Sequence, residues 1–406
     1  MSRIKSSSSK KSTVNTVKKN NSQRKVKTIA RQFSQSLESL ADPRTREGRI
    51  DYPLQEILFV ALVAVICGAI SYQQIVTFGE EQIKWFKKFF PFENGIPSHD
   101  TFRRVFELLD PNSLEKSYRL VIENLKISTL KHIAIDGKVS RGCFLIKGQC
   151  LLNSVSAFDT ENGIVLGQLA TRDDEGKDVG EYNTIPLVIE SLDITGAVVT
   201  IDAAGCYTEI VDAIVEGKGH YVITLKDNQP TLSQAAQEAF AEAESKGFEG
   251  VQSYQTTDKG HGRIETRTYY AMPVPEDSEL RNKWRNLETF GMGMLERTEN
   301  GETTTAIRFM ISDLPADQVK QIGNCFRSHW GIENRLHWVL DVSMGEDANR
   351  TRRGNGAKNL AVVRRLALSL IRQVQGGQTV PNIMWRAALS QEFRTNIIEK
   401  IMSEEV

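Results

Sequence analysis

The segment HWGIENRLHWVLDVSMGED, His329 to Asp347, carries an acid, Glu333, with His329 and His337 four positions to either side. Residues four apart on an α-helix share a face. The spacing therefore predicts a carboxylate between two imidazoles, hemmed by Trp330, Leu336 and Trp338. Three chemistries fit. A wet edge of an amphipathic helix needs nothing more. A zinc site uses helical histidines, yet these are eight apart with the acid between them. The pattern is not H-E-x-x-H, and no cysteine cluster lies nearby. A carboxylate site for a hard divalent cation requires further acids at the ends of strands.

Two such acids are present. Asp136 lies in HIAIDGKVSRG, where Ile133 and Ile135 alternate with small or polar neighbours, a strand pattern that Gly137 is expected to end. Asp202 lies in GAVVTIDAAGC, a β-branched run that stops at the acid, and CYTEIVDAIVEGKG after it has helical period. An acid at the carboxyl end of a buried strand sits where open α/β sheets place ligands. Each case alone also fits a turn-initiating Asp. Three meeting carboxylates would repel and raise one another's pKa values. A divalent cation relieves that repulsion, and an all-oxygen set suits Mg²⁺ or Mn²⁺. The chemistry that uses such a set is phosphoryl transfer with two metals about 3.5–4 Å apart and no protein nucleophile. The chain has no G-x-S-x-G, Walker loop or G-x-G-x-x-G to suggest otherwise.

Several longer segments share a pattern. DPRTREGRIDYPLQEILFVALVAVICGA, NGIPSHDTFRRVFELLDP, IAIDGKVSRG, GAVVTIDAAGC, YVITLKDNQPTL, HGRIETR and HWGIENRLHWVLDVSMGED, followed by NLAVVRRLALSLIR, span roughly residues 42 to 373. In them the chain resembles bacterial insertion-sequence transposases related to the H-repeat-associated proteins, within the wider DDE transposase group. The resemblance implies an RNase H-like core with Asp136, Asp202 and Glu333 as the metal-binding and catalytic triad. It implies two Mg²⁺ or Mn²⁺ ions, and double-stranded DNA as partner, both element ends with their terminal inverted repeats and target. A homodimer on DNA, in the cytoplasm and at the nucleoid, is the expected setting. The acids lie 66 and then 131 positions apart, and the second gap suggests an inserted β-rich segment. Related enzymes carry Arg four residues before the catalytic Glu and Lys seven after it; here those positions are His329 and Leu340. A family Lys-Ser-Asn-Glu run is replaced by Asp178, Val179, Gly180 and Glu181, keeping only the Glu. Alternatives on the same fold are a catalytically silent DNA-binding relative and a nuclease without strand transfer.

The elements that must position these residues read as an α/β chain behind an all-helical N-terminal domain, residues 32–125. A long apolar helix ends near Cys67 and Gly68, and a second is expected from about Tyr72 to Phe90. Ser98 is a plausible N-cap for HDTFRRVFELL, which bears Arg103 and Arg104. This is either a helix-turn-helix able to enter a major groove or a bundle with an exposed Arg pair. The catalytic domain is expected over 131–375, with strands at HIAID, LLNSVSAFD, GIVLGQLAT, AVVTIDA and HYVITLK and a helix at NTIPLVIESL with Pro186 in its first turn. The insertion is placed at about 231–313, and a tail with short helices at 376–406. Lys226 and Asn228, just past the fifth strand, are candidates for phosphate contact or for ending the strand. Arg263 and Arg267 in HGRIETR, and Arg350, Arg352 and Arg353 after the acidic helix, are candidate DNA contacts. His329 and His337 are expected to support the acids or touch DNA.

The 406 residues contain 51 basic and 51 acidic side chains, so net charge is zero. The charge is unevenly spread: residues 1–31 hold ten Lys or Arg and no acid and read as a disordered basic tail. No secretory signal pattern is present. The apolar run from Ile57 to Ile70 falls short of the roughly 20 residues of a membrane span and reads as a buried helix. Five cysteines without C-x-x-C pairing read as reduced thiols.

Overall fold

The computed structural model describes residues 23–44, 50–125, 130–140, 153–171, 177–260 and 262–402. The chain forms two compact units. One comprises Met1–Ile127, Ser140–Leu151 and Val339–Val406; the other comprises Ser128–Val139 and Leu152–Trp338.

The second unit is built on a nine-stranded sheet. Its strands are β1 His132–Val139, β2 Asn153–Asp159, β3 Ile164–Ala170, β4 Val198–Ile201 and β5 His220–Thr224, then β6 Gln252–Gly260, β7 Arg263–Pro273, β8 Thr289–Glu299 and β9 Glu302–Ser312. Their spatial order is β3-β2-β1-β4-β5-β9-β8-β7-β6. β1, β2 and β3 form an antiparallel meander. β4 and β5 continue it in parallel, as an RNase H-like core does. All four residues of β4, Val-Val-Thr-Ile, are buried, as expected for a central parallel strand covered on both faces. The chain returns from β3 to β4 through the helix Gly180–Glu190 and from β4 to β5 through Thr208–Glu216. The first of these begins earlier than its apolar period suggests, so Pro186 lies inside it and not in its first turn. The β6–β9 meander is not a separate sheet. β9 pairs antiparallel with β5, Val222 opposite Ser312, and extends the core sheet directly. The helix Val319–His329 then packs back onto the sheet, where Val319, Ile322 and Cys325 meet Val198, Val222, Tyr269, Ala271, Met310 and Leu314.

The first unit is all helical among its described residues. Helix Leu54–Ile66 is buried from Glu56 to Ile66, so its continuous apolarity serves a core. At 13 residues it is about 20 Å long, and among the described residues no helix is long and apolar enough to cross a membrane. It packs against Gly356–Arg372, which also contacts His99–Leu108 and Pro111–Glu123. The limits drawn along the sequence and the packing of the fold thus divide the chain differently after Trp338. Val380–Leu389 and Gln391–Ile398 are helices of the same unit.

Two expectations change here. Residues 23–36 are helical, so the part of the basic segment from 23 to 31 is folded, while 1–22 lie outside the described residues. Val26, Ile29, Ala30, Phe33 and Leu37 are buried at helical spacing, a stripe that the surrounding Lys and Arg obscure in composition. The expected helix from Tyr72 to Phe90 is broken at Gln82 into Tyr72–Glu81 and Ile83–Phe86. The Gln82 side chain instead accepts a hydrogen bond from Arg394 Nη2 at 2.7 Å. Cys67, Cys206 and Cys325 are free thiols; Cys143 and Cys150 lie outside the described residues.

Phe59 is fully buried, with its ring 5.2 Å from Phe33, 5.1 Å from Phe89 and 5.2 Å from Phe90. Phe59→Ala should cost about 3–5 kcal/mol in a denaturant titration followed by tryptophan fluorescence. A loss below about 1 kcal/mol would show that this cluster does not hold the unit together.

Candidate active site

The parallel register of β1 and β4 aligns His132 with Val198 and Ile135 with Ile201. This offset equals the sequence separation of Asp136 and Asp202, so each acid directly follows the last paired residue of two strands about 4.8 Å apart. In-register neighbours point to the same face, and Asp136 shares its face with Ala134 and His132 by the period of two. Asp202 follows the last residue of β4 and caps the short helical turn Ala203–Gly205, accepting from the Ala204 N–H at 3.0 Å. Asp136 is not at a strand end. β1 continues through Gly137 to Val139 because β2 still pairs with it, Gly137 opposite Val155, after β4 has stopped. The acid therefore stands where one neighbouring strand is lost, and it accepts from the Gly137 N–H at 2.8 Å.

Glu333 arrives from the helix over this face, but not on an ordinary α-helix. Val319–His329 is α-helical, whereas Ile332–His337 winds as a π-helix, with the Trp338 N–H reaching the Glu333 carbonyl. A wider i→i+5 turn alters the i±4 face expected for the three residues and separates the two histidines. The His337 Nδ1 lies 3.6 Å from Asp136 Oδ2. His329 instead hydrogen-bonds Thr200 Oγ1 through Nδ1 at 3.0 Å. Glu333 itself is exposed.

A further acid joins the site. A Cβ at Gly137 would collide with the Glu181 carboxylate, so the absent side chain makes room for Glu181 on the other side of β1. Burial, together with Asp202 and Asp178, pushes the Glu181 carboxyl up. Asp136 is raised to about 7, first by burial and then by Asp202, Glu181 and Glu333, against the hydrogen bond from Gly137. Among the described residues no three His, Cys, Asp or Glu side chains are gathered closely enough to enclose an ion. The donor set still suits a hard divalent cation: it is all carboxylate, and Asp136 carries the repulsion of three acids that a cation would relieve.

Beneath the acids runs a hydrogen-bonded row. His132 is buried, with Nδ1 2.7 Å from Thr160 Oγ1 and Nε2 2.8 Å from Thr200 Oγ1, and Thr200 passes the row on to His329. Burial and the neighbouring His329 hold His132 down to about 3, and burial also lowers His329. Both imidazoles are therefore neutral at pH 7. Arg335 of the π-helix donates to the Thr160 carbonyl and lies over the Phe158 ring at 5.8 Å. Sequence reading passed over His132, Thr160, Thr200 and Arg335. The one available signal was period two, which puts His132 on the face of Asp136.

Asn228 Nδ2 donates to the Ala203 carbonyl at 2.8 Å and Gln229 Nε2 to that of Cys206 at 2.9 Å, so this turn holds the loop that follows Asp202. Lys226 is exposed. Arg263 pairs with Glu265 at 2.9 Å, and Arg267 with Asp258 at 2.7 Å and with Glu265; His261 lies outside the described residues. In the helical unit Ser98 caps His99–Leu108, accepting from the Thr101 N–H at 3.3 Å. Arg103 and Arg104 lie on that helix, and Arg350, Arg352 and Arg353 are exposed on the loop before Gly356–Arg372.

Residues 127–370 match the family described as Transposase DDE domain. The chain belongs to the DDE transposase family. Residues 34–120 match the DDE_Tnp_1-associated family that accompanies it. A protein of Escherichia coli O157:H7 named "Putative transposase YncI" is 37% identical over 357 residues, 84% of this chain and 90% of its own. The "H repeat-associated putative transposase YhhI" of Escherichia coli K12 is 33% identical over 332 residues, 80% and 86% of the two chains. The "Inactive transposase YbfQ" of the same strain is 42% identical over 57 residues, 14% of this chain and 68% of its own.

Two pH dependences follow for this DDE transposase. A buried His132 near 3, against an ordinary 6.5, means that the unfolded chain binds the extra proton between those values. Stability should fall as pH drops below about 6.5, by up to about 1.4 kcal/mol per pH unit. His132→Gln should flatten that slope in urea titrations between about pH 6.5 and 4, and an unchanged slope would contradict a neutral buried His132. Asp136 has the opposite sign: raised from 3.8 to about 7, it weakens the metal-free fold as pH rises through that window. Asp136→Asn should stabilise the metal-free protein by about 1–3 kcal/mol at pH 8, with the gain vanishing below about pH 4. A variant no more stable than the parent at pH 8 would remove the strain assigned to this acid.

Proposed function

We propose that the protein is a transposase that hydrolyses phosphodiester bonds at the ends of its insertion element and joins the freed 3′-hydroxyl to target DNA. The observation that supports this most is the parallel register of β1 and β4, with Ile135 opposite Ile201, which leaves Asp136 and Asp202 directly after the last paired residues of adjacent strands. It occurs in a chain of the DDE transposase family that carries Glu333 on the π-helical segment Ile332–His337. Asp136, Asp202 and Glu333 are the ligands in this reading, and two bound Mg²⁺ or Mn²⁺ ions would supply an activated attacking oxygen and a stabilised leaving oxygen.

The chain's own groups have defined tasks. Asp136 and Asp202 are fixed by backbone N–H bonds from Gly137 and Ala204, so little ordering remains when the phosphate arrives. His337 orients Asp136. Neutral His329, anchored to Thr200, adds no competing positive charge beside Asp202. Asn228 holds the turn after Asp202, and in this reading exposed Lys226, just past β5, would meet a phosphate. In the first step a water oxygen bonds to phosphorus while the P–O3′ bond breaks, and the water proton leaves with solvent. In the second the 3′-oxygen attacks a target phosphate and displaces another 3′-oxygen. The setting is the cytoplasm and nucleoid, with two copies acting together on the element's inverted repeats.

Purified protein should nick labelled element-end duplex in Mg²⁺ and join it to target DNA. Asp202→Asn should lower that rate by at least about 10³-fold while binding stays within a few-fold. A variant that cleaves at the parental rate would remove Asp202 from the site. Protein that binds ends but never cuts would instead be a silent relative, as the name of the inactive relative says of that protein. Scrambled ends cut as fast as native ones, with no joining, would indicate a nuclease.

A further inference from the structure

In the helical unit, a loop that precedes Gly356–Arg372 lies against helix His99–Leu108 and forms a groove of about 540 Å³, lined among others by Tyr72, Arg103, Glu107, Arg350, Arg352 and Arg353. Two features distinguish it from a chance collection of surface arginines.

The first is that the loop is fastened. The Asn355 N–H donates to the Glu107 carbonyl at 3.0 Å, and Asn355 Nδ2 to that of Leu109 at 3.1 Å. Buried Asn359 donates to the Phe106 and Leu109 carbonyls, both at 2.8 Å. These bonds satisfy carbonyls that a helix C-terminus leaves open. Gly354, at φ +49°, lies so close to the Glu107 carbonyl that a Cβ there would collide with it. The glycine in RTRRGNG thus permits close docking. The loop's arginines are held ready, with less freedom to lose on binding.

The second is charge. Arg350, Arg352 and Arg353 are exposed, and among the described residues none is in an ion pair with an acid. Arg103 is engaged by Glu107 at 2.9 Å and Asp100 at 3.2 Å. The groove therefore carries four guanidiniums against one lining carboxylate. On β7 of the other unit Arg263 and Arg267 already share Glu265 and Asp258, so those positions offer phosphates less uncompensated charge.

We propose that this groove is a phosphate cradle for the backbone of double-stranded DNA, binding independently of base sequence. The proposal rests on the DNA-processing reading above but not on its catalytic part. Guanidiniums bind phosphate oxygens through paired N–H donors, and such contacts position a duplex without reading its sequence. Glu107 sets the strength of the cradle by occupying Arg103.

The test is the salt dependence of binding by the full chain, measured in EDTA by fluorescence anisotropy with a random-sequence duplex of about 30 base pairs. Each lost phosphate contact reduces the log–log slope by about 0.9. The triple variant R350A/R352A/R353A should therefore bind with a slope shallower by about 2–3, and the triple Lys variant should restore most of it. Glu107→Gln should tighten binding and steepen the slope by up to about 1, a gain that misfolding cannot imitate. A folded triple-Ala variant with a slope within about 0.5 of the parent's would overturn the proposal. So would a Glu107→Gln protein that binds no tighter, and so would single-stranded RNA competing as well as the duplex. Because EDTA suppresses cleavage, loss of this cradle and failure of the Asp202→Asn cleavage test are separate results.

Discussion

The register between β1 and β4 is the constraint on which the catalytic unit depends. With Ile135 beside Ile201, two carboxylates follow directly on adjacent strands, at the place where β4 ends and no longer pairs with β1. A shift of one residue would turn one of them to the opposite face of the sheet. The buried apolar residues of both strands, Ile133, Ile135, Val199 and Ile201, fix that register by the cost of exposing them. Hydrophobic burial thus maintains an arrangement in which burial itself, and then the neighbouring Asp202, Glu181 and Glu333, push the Asp136 carboxyl up.

The surroundings of that pair supply little permanent positive charge, the imidazole of His337 standing 3.6 Å from Asp136 Oδ2. No lysine or arginine is ion-paired to Asp136 or Asp202 among the described residues, and the imidazoles of His132 and His329 are kept uncharged by burial. The threonine–histidine row links β1, β4 and the helix Val319–His329 through hydrogen bonds. The π-wound segment carries Glu333 and Arg335 on successive parts of one turn, and Arg335 fastens that turn to the end of β2. In the proposed reaction the negative field at this pair of acids would be met by divalent cations.

Much of this was legible in the sequence because it depends on local patterns. The β-branched runs ending at Asp202, the Ser98 cap and the alternation of HIAID each reflect a single element. The ordered family segments imply Glu333 as a third acid, where periodicity alone leaves a wet edge, a zinc site and a carboxylate cluster open. What was not legible is non-local. Strand pairing with β2 carries β1 past Gly137, and no residue near Gly137 announces it. The contact between Gly137 and Glu181 joins positions on different elements. The π-winding after His329 is not announced by any residue of the segment, so a face drawn with α-helical period put both histidines together. The folded stretch 23–36 was hidden by composition, since its apolar stripe is diluted by basic residues on the solvent side.

The central claim is that Asp136 and Asp202, brought side by side by strand register, form one divalent-cation site. Its most direct test is Mn²⁺ binding by the full chain, followed by the loss of the free-ion electron paramagnetic resonance signal at pH 8. The account predicts that the parent protein depletes the free signal, and that Asp136→Asn and Asp202→Asn each weaken binding by at least about tenfold. Parental Mn²⁺ affinity in either folded variant would contradict it.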